Sequence, residues 1–269
     1  MWQLHLALIF LEVCLTRGSE LLIRSLCRDL KRPYGESQGL LVIEFSEPLI
    51  EGYLIKRYKR FFADIETAEG VVTAHCANTG RMTGLLNEHS RVWIRRQLPG
   101  RKLLFSWELV ETSKGLVCVN TARANQLVAE TALLQWIEGA TLIRREPRVG
   151  KHRFDLELER ENRPIFVEIK SVTLCELDGQ GLFPDAPSER AVKHVKLMTE
   201  LAKSGVETHL LLVAMHTGIR RIRPHASIDL DFAEACVLAE HHGVKIQAIG
   251  TRITPSQIAM SGIIPLSIF

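Results

Sequence analysis

The chain has 269 residues, of which 46% are hydrophobic and 24% charged, as is typical of a soluble globular protein. A net charge of only +3 excludes a polycation, so any nucleic-acid surface must come from local clustering of basic side chains. The six cysteines include no CxxC pair, which argues against a zinc ribbon or a disulfide framework. We therefore expect reduced thiols in a cytoplasmic protein.

Residues 1–40 differ from the rest of the chain. The apolar run at residues 4–15 contains Glu12 and is shorter than the roughly 20 residues that a transmembrane helix needs. It also lacks the basic start and the small-residue cleavage site of a signal peptide. We expect no membrane association and interpret residues 1–40 as an appended segment that is helical or poorly ordered. A weak export signal is the minor alternative.

Short strands with little helix follow over residues 41–120. The predicted strands cover residues 41–45, 71–75, 91–96, 102–110 and 116–120. Five or so strands of this length, separated by turns, are typical of a small β-barrel. An OB-fold barrel is the obvious candidate.

One part of this region combines basic and aromatic side chains, namely Lys56, Arg57, Tyr58, Lys59, Arg60 and Phe61. Lysine and arginine neutralise phosphates and aromatic rings stack on bases, so this run is a candidate nucleic-acid surface, which Asn78 and Arg81 extend. A strand with a solvated basic edge explains the same pattern equally well. Trp93 falls on the arginine face of its strand and indicates either a nucleic-acid contact or a seam between domains.

A predicted hairpin carries the strongest candidate for chemistry. Alternation along residues 153–159 and 164–171 places Asp155, Glu168 and Lys170 on one side. Asp155 and Glu168 are suitable ligands for Mg²⁺ or Mn²⁺, and a neighbouring lysine orients water and stabilises charge in the transition state. Asp followed by Glu-x-Lys is the pattern of the PD-(D/E)xK nuclease superfamily. A solvated hairpin face often carries the same residue types, but charge inside so apolar a strand is costly without a purpose.

The element order after residue 120 fits that superfamily. The spacing of apolar residues changes there from the period of a strand to that of a helix. The predicted elements are a helix at 125–137, strands at 142–146, 153–159 and 164–171, a helix at 189–203, a strand at 208–215, a helix at 228–242 and a strand at 244–249. This is an αβββαβ core with an added αβ unit. We predict an α/β fold, α+β overall: an extension at 1–40, an OB-like barrel at 41–120 and a PD-(D/E)xK nuclease-like domain at 121–269.

Six runs together resemble the sugar fermentation stimulation protein A family of bacteria and archaea: residues 54–61, 75–82, 119–125, 153–155, 167–174 and 182–190. The resemblance implies an OB-like domain joined to a nuclease-like domain, and DNA binding tied to the regulation of sugar utilisation. It also implies that Asp155, Glu168 and Lys170 hold the metal and lysine positions, with Glu130 as a third acid. Residues 1–40 precede the start expected for that family, which is consistent with a start codon assigned too early.

Three functions remain open at this point. The first is a DNA-binding protein with a metal-dependent nuclease site, because carboxylates facing phosphates repel them unless a cation neutralises the charge. The second is a non-catalytic transcriptional regulator that binds DNA mainly through phosphates, since no helix-turn-helix is recognisable. The third is an enzyme acting on RNA or a nucleotide. Arg190, Lys193 and His194 are further candidates for phosphate contact, with a solvated helix face as the alternative.

Overall fold

The computed structural model describes residues 42–132 and 137–268. The predicted extension at residues 1–40 and part of the helix predicted at 125–137 lie outside these described residues. Cys76, Cys118, Cys175 and Cys236 are buried free thiols. Within the described ranges, no helix combines the length and the apolar character needed to cross a bilayer.

The first strand, β1 (Val42–Glu44), differs from expectation. Residues 41–45 are predicted to begin the barrel, but β1 pairs with residues 257–259 near the other end of the chain, in the larger sheet. The local pattern of a strand does not specify its partner, and here the partner lies more than 200 residues away. The barrel therefore begins later than predicted.

The barrel is built from the next six strands: β2 (Ile50–Tyr58), β3 (Phe62–Thr67), β4 (Gly70–His75), β5 (Arg91–Arg96), β6 (Phe105–Thr112) and β7 (Gly115–Cys118). A parallel pairing between β4 and β6 closes β2 to β6 into a five-stranded barrel, and β7 extends β6. Alternate residues such as Ala63 and Ile65 point inward, around the fully buried Trp107. The predicted OB-like barrel is confirmed.

A seven-stranded mixed sheet forms the second domain. Its strands are β1, β8 (Thr141–Arg145), β11 (Leu156–Arg160), β12 (Arg163–Val172), β15 (Glu207–Ala214), β17 (Lys245–Ile253) and β18 (Gln257–Ile264). Its helices are α1 (Ala122–Leu127), which continues as a π-helix over Val128–Ala132, α2 (Glu189–Lys203) and α3 (Leu230–His241). One face of β12 packs with α1, and α2 and α3 cover the opposite face of the sheet. The predicted nuclease-like fold is confirmed.

Several short strands lie beside the large sheet and are absent from the sequence-based prediction. A two-stranded hairpin consists of β9 (Arg148–Val149) and β10 (His152–Arg153), and a three-stranded sheet consists of β13 (Leu174–Cys175), β14 (Gln180–Phe183) and β16 (Arg221–Pro224). Strand β18 is also unpredicted. Segments of two to four residues are too short to show an alternation, so their strand character depends on partners supplied by the fold.

The barrel and the nuclease-like domain share part of one hydrophobic core. Trp93 and Leu109 of the barrel belong to the same cluster of buried side chains as Leu127 of α1. Trp93 therefore lies at the seam between domains, which is one of the two alternatives for this residue. The buried carboxylate of Glu108 strengthens this joint, because it accepts hydrogen bonds from three side chains: Arg95 at 3.1 Å, Asn120 at 3.0 Å and Arg123 at 3.0 Å.

Candidate functional site

A cleft of about 1020 Å³ lies where the barrel meets the nuclease-like domain. Five basic side chains line it: Arg57, Arg60, Arg81, Lys170 and Arg190. Three carboxylates line it as well: Asp155, Glu168 and Asp185. The hairpin residues that the sequence singles out therefore share one cleft with several of the basic residues of the barrel.

Asp155 is held from two sides at the beginning of β11. Its Oδ1 accepts a hydrogen bond from Nδ2 of Asn125 at 2.7 Å, and its Oδ2 accepts one from the backbone N–H of Ile169 at 2.7 Å. Burial raises the pKa of Asp155 to about 6, and the negative charge of Glu168 adds to that rise. Two carboxylates with this mutual repulsion are stabilised by a cation that neutralises both.

Glu168 is buried in β12, and its two oxygens have different environments. Oε1 lies 2.5 Å from Nζ of Lys170 and 2.6 Å from Nδ1 of His194. Oε2 is buried and has no hydrogen-bond partner within the described part of the chain. Burial alone raises the pKa of Glu168, but the hydrogen bond from His194 and the charge of Lys170 outweigh it, so the pKa lies below its ordinary value.

The donor set fits a divalent metal ion. A buried carboxylate oxygen without a donor is costly, and a cation beside Oε2 of Glu168 would remove that cost. Carboxylate oxygens are ligands that Mg²⁺, Mn²⁺ and Ca²⁺ accept, with water or phosphate completing the coordination. Among the residues the structure describes, no three His, Cys, Asp or Glu side chains are arranged to hold a metal. Asp155 and Glu168 would therefore hold the ion as a pair.

Glu130 lies elsewhere than the family resemblance implies. It is exposed in the π-helical segment, and its carboxylate contacts Gln126 at 3.3 Å and Arg145 at 3.8 Å. It is not among the residues that line the cleft. The side chain that reaches Asp155 from this helix is Asn125. The position of Glu130 thus gives no support to its role as a third acid, which stays a prediction.

Arg57 lines the cleft but is already engaged with the backbone. Its Nη2 donates to the carbonyl oxygens of Asn78 at 2.8 Å, Arg60 at 3.0 Å and Gly80 at 3.2 Å. These bonds hold the turn after β4 against the β2–β3 hairpin. Arg57 therefore organises the wall of the cleft.

Other residues of the predicted nucleic-acid surface divide into two groups. Arg60, Asn78 and Arg81 line the cleft, and the side chains of Arg60 and Arg81 have no hydrogen-bond or ion-pair partner among the described residues. Lys59 and Arg60 both have positive φ, 49° and 63°, which is uncommon outside glycine and places them at the tip of the β2–β3 hairpin.

Four residues of the predicted nucleic-acid surface lie outside the cleft lining: Lys56, Tyr58, Lys59 and Phe61. The ring of Tyr58 stacks on Phe62 with the ring centres 5.5 Å apart, and its hydroxyl donates to Asp64 at 3.2 Å. Phe61, in contrast, is 46% exposed. The structure therefore brings only part of the predicted surface, namely Arg57, Arg60, Asn78 and Arg81, to the cleft.

His194 and Asp185 have positions that sequence reasoning missed. His194 is a candidate for phosphate contact in the sequence, but its side chain is buried and bonded to Glu168. Oδ2 of Asp185 accepts the backbone N–H of Met82 at 2.8 Å and so ties the barrel to the far wall of the cleft. These pairs are 26 and 103 residues apart, and no local pattern signals either contact.

The fold and the site together define a two-domain protein in which an OB barrel precedes a nuclease-like domain. Residues 55–119 match the model of the SfsA N-terminal OB domain, and residues 122–257 match that of the Sugar fermentation stimulation protein RE domain. The chain belongs to the sugar fermentation stimulation protein family.

The alignments with similar proteins cover most of this chain and almost the whole length of each relative. The sugar fermentation stimulation protein homolog of Azotobacter vinelandii is 44% identical over 81% of this chain and 97% of its own. The homolog of Pseudomonas fluorescens is 42% identical over 81% of this chain and 96% of its own. The structure of Pyrococcus furiosus SfsA in complex with Ca²⁺ superimposes with a TM-score of 0.78 and 27% identity, covering 86% of this chain and all of that one.

Proposed function

We propose that this protein binds DNA and is a metal-dependent phosphodiesterase whose centre is formed by Asp155, Glu168 and Lys170. The observation that carries the proposal is the buried, unpartnered Oε2 of Glu168, which lies beside a lysine in a cleft rich in arginine. The Ca²⁺ complex of the Pyrococcus furiosus relative supports the use of a divalent metal.

Each residue of the centre has a role that follows from its contacts. Asp155 and Glu168 hold Mg²⁺ or Mn²⁺. When bound, the metal supplies Lewis-acid polarisation of the phosphodiester and lowers the pKa of water. Lys170 places its ammonium group next to Glu168, where it stabilises the charge that develops on phosphate. Asn125 holds Asp155 in place and His194 holds Glu168 in place.

DNA binding is proposed to rest mainly on phosphate contacts. Arg60, Arg81 and Arg190 line the cleft and are free to bind anions, and the exposed Lys56, Lys59 and Phe61 extend the surface along the barrel. Binding of this kind weakens steeply with salt, because each neutralised phosphate releases counterions. The protein is proposed to act in the cytoplasm. RNA is the alternative ligand, since an OB-like barrel is compatible with either nucleic acid.

A second candidate function is that of a non-catalytic DNA-binding regulator that uses the nuclease-like fold as a scaffold. Its specific support is that, among the described residues, no three His, Cys, Asp or Glu side chains are arranged to hold a metal ion. A link to sugar utilisation belongs to this second candidate, and only the family resemblance implies it.

The test is a cleavage assay with a matched variant. Labelled single-stranded DNA, duplex DNA and RNA are incubated with the purified protein in Mg²⁺, Mn²⁺ or EDTA, beside Glu168→Gln prepared in the same way. Glutamine keeps the shape of Glu168 and removes its charge. We expect cleavage that requires metal and falls by about 100-fold or more in the variant, with DNA binding in EDTA retained by both. Equal cleavage by the variant would indicate a contaminating nuclease, and binding without any cleavage would favour the regulator.

A further inference from the structure

A second basic cleft, of about 480 Å³, lies next to the first. Its lining consists of Lys151, His152, Arg153, Glu189, Arg190, Lys193 and His194. Four of these side chains are lysine or arginine and only one is acidic. Arg190 lines both clefts, so the two are adjacent at this side chain.

The β9–β10 hairpin presents its basic residues to solvent. Val149 and His152 pair across the hairpin and face the protein, because Val149 packs on the hydrophobic core and the His152 ring meets the His194 ring edge-on at 5.6 Å. Arg148, Lys151 and Arg153 are exposed. The hairpin is not part of the seven-stranded sheet, so the sheet itself does not require these charges.

The charges on the hairpin are poorly compensated by the protein. Arg148 lies directly opposite Arg153 in the hairpin, and like charges in that position are destabilising. Arg153 has one ion-pair partner, Glu146 at 3.3 Å. Arg148, Lys151 and Arg190 form no ion pair with any residue in the described ranges. An anion bound here would relieve the repulsion between the two arginines.

We propose that the β9–β10 hairpin and the first turns of α2 form a second binding site for phosphates of the DNA backbone. The strand that leaves the first cleft passes Arg190 and meets Lys151 and Arg153. This inference rests on the proposed DNA binding and extends it, because the bound DNA must then reach beyond the metal centre on the hairpin side. DNA is favoured over a free anion since the two adjacent clefts form one basic path.

The test compares two double variants with the same loss of charge. The first is Lys151→Ala with Arg153→Ala, which both line the second cleft, and the control is Lys203→Ala with Arg252→Ala, whose side chains line neither cleft. Affinity for a labelled DNA duplex is measured by fluorescence anisotropy in EDTA at several salt concentrations. A plot of log affinity against log salt has a negative slope, and each lost phosphate contact reduces the magnitude of that slope by about 0.9. We expect the magnitude of the slope to decrease by about 1 to 2 in the hairpin variant and to stay unchanged in the control.

Stability is measured alongside binding. Arg153 opposes Arg148 and has only an exposed ion pair with Glu146, so its removal should leave the melting temperature nearly unchanged. An unchanged melting temperature excludes unfolding as the cause of a loss of affinity. If the native protein binds DNA and both double variants bind with the same salt slope, the second site is wrong while the proposed function stands. If the native protein binds no DNA at all, both are wrong.

Discussion

Nδ1 of His194 lies 2.6 Å from Oε1 of Glu168, and this contact determines which oxygen of the carboxylate is free. A carboxylate only accepts hydrogen bonds, so Nδ1 of His194 carries the proton that is shared. Lys170 uses the same oxygen, which leaves Oε2 buried and without a partner in the described part of the chain. The packing of α2 on the sheet therefore orients the candidate metal ligand.

Replacing His194 should weaken metal binding. We expect His194→Ala to lower the affinity for Mn²⁺ by about 10-fold to 100-fold, because Glu168 loses the donor that fixes its orientation. His194→Asn should restore much of the affinity, since its amide N–H can occupy the place of Nδ1. Isothermal titration calorimetry measures both, with His152→Ala as a control for the loss of a neighbouring ring. Unchanged affinity in His194→Ala would contradict the orienting role.

Two residues of the first helix of the nuclease-like domain should behave differently. Asn125→Ala removes the donor to Oδ1 of Asp155 and should lower metal affinity by about 10-fold. Glu130→Ala should change it less than about threefold, because Glu130 is exposed and bonded to Gln126 instead. The same calorimetric titration measures both. A large effect of Glu130→Ala, with a small one of Asn125→Ala, would restore Glu130 as the third acid.

Lys170 should matter for cleavage more than for binding. Lys170→Met keeps the length of the side chain and removes its charge, so we expect turnover to fall by about 100-fold to 1000-fold. DNA affinity in EDTA should change by less than about threefold, because several arginines line the same cleft. Lys203→Met serves as the control for a lost lysine. A parallel loss of affinity and turnover in Lys170→Met would make Lys170 a binding residue.

Arg57 and Arg60 lie three residues apart in the sequence, but their replacement should have different effects. Arg57→Ala removes the donor to three backbone carbonyls, so we expect a loss of about 1 to 3 kcal/mol in the free energy of unfolding. Arg60→Ala should leave the melting temperature unchanged and lower the salt slope of DNA binding by about 1. Thermal denaturation and anisotropy distinguish the two. Equal melting temperatures for both variants would argue against the organising role of Arg57.

His216 should make the protein less stable in acid. Its Nδ1 accepts the N–H of Gly218 at 2.9 Å, and burial, together with the charges of Lys114 and Arg220, lowers its pKa from 6.5 to about 4. A pKa that is depressed in the folded state gives stability that is complete above pH 6.5 and is lost as the pH falls toward 4. The loss amounts to about 3 kcal/mol at most.

Urea denaturation of the native protein and of His216→Asn, between pH 7 and about pH 4, measures this loss. Asparagine keeps an acceptor for Gly218 and cannot titrate. We expect the native protein to lose more stability than the variant over this range. The raised pKa of Asp155 acts in the opposite direction in both proteins, so it cancels in the comparison. Parallel pH profiles would rule out His216 as the cause.

The sequence by itself determined the two-domain organisation and the placement of three residues in one cleft. Strand side chains alternate with a period of two, so the pattern along residues 153–171 places Asp155, Glu168 and Lys170 on one side, and the register of β11 with β12 agrees. The change from strand period to helix period after residue 120 likewise separates the barrel from the nuclease-like domain. These signals are local, because a side chain's direction follows from the backbone of its own segment.

Only the tertiary structure decided which of these residues meet others from distant segments. The pairing of β1 with β18, the bond from His194 to Glu168 and the bond from Met82 to Asp185 join segments that carry no matching signal. Asn125 rather than Glu130 reaches Asp155, because packing on the sheet sets which face of the first helix points to the cleft. Packing depends on the shapes of several segments at once, and for that reason no single segment of the sequence specifies it.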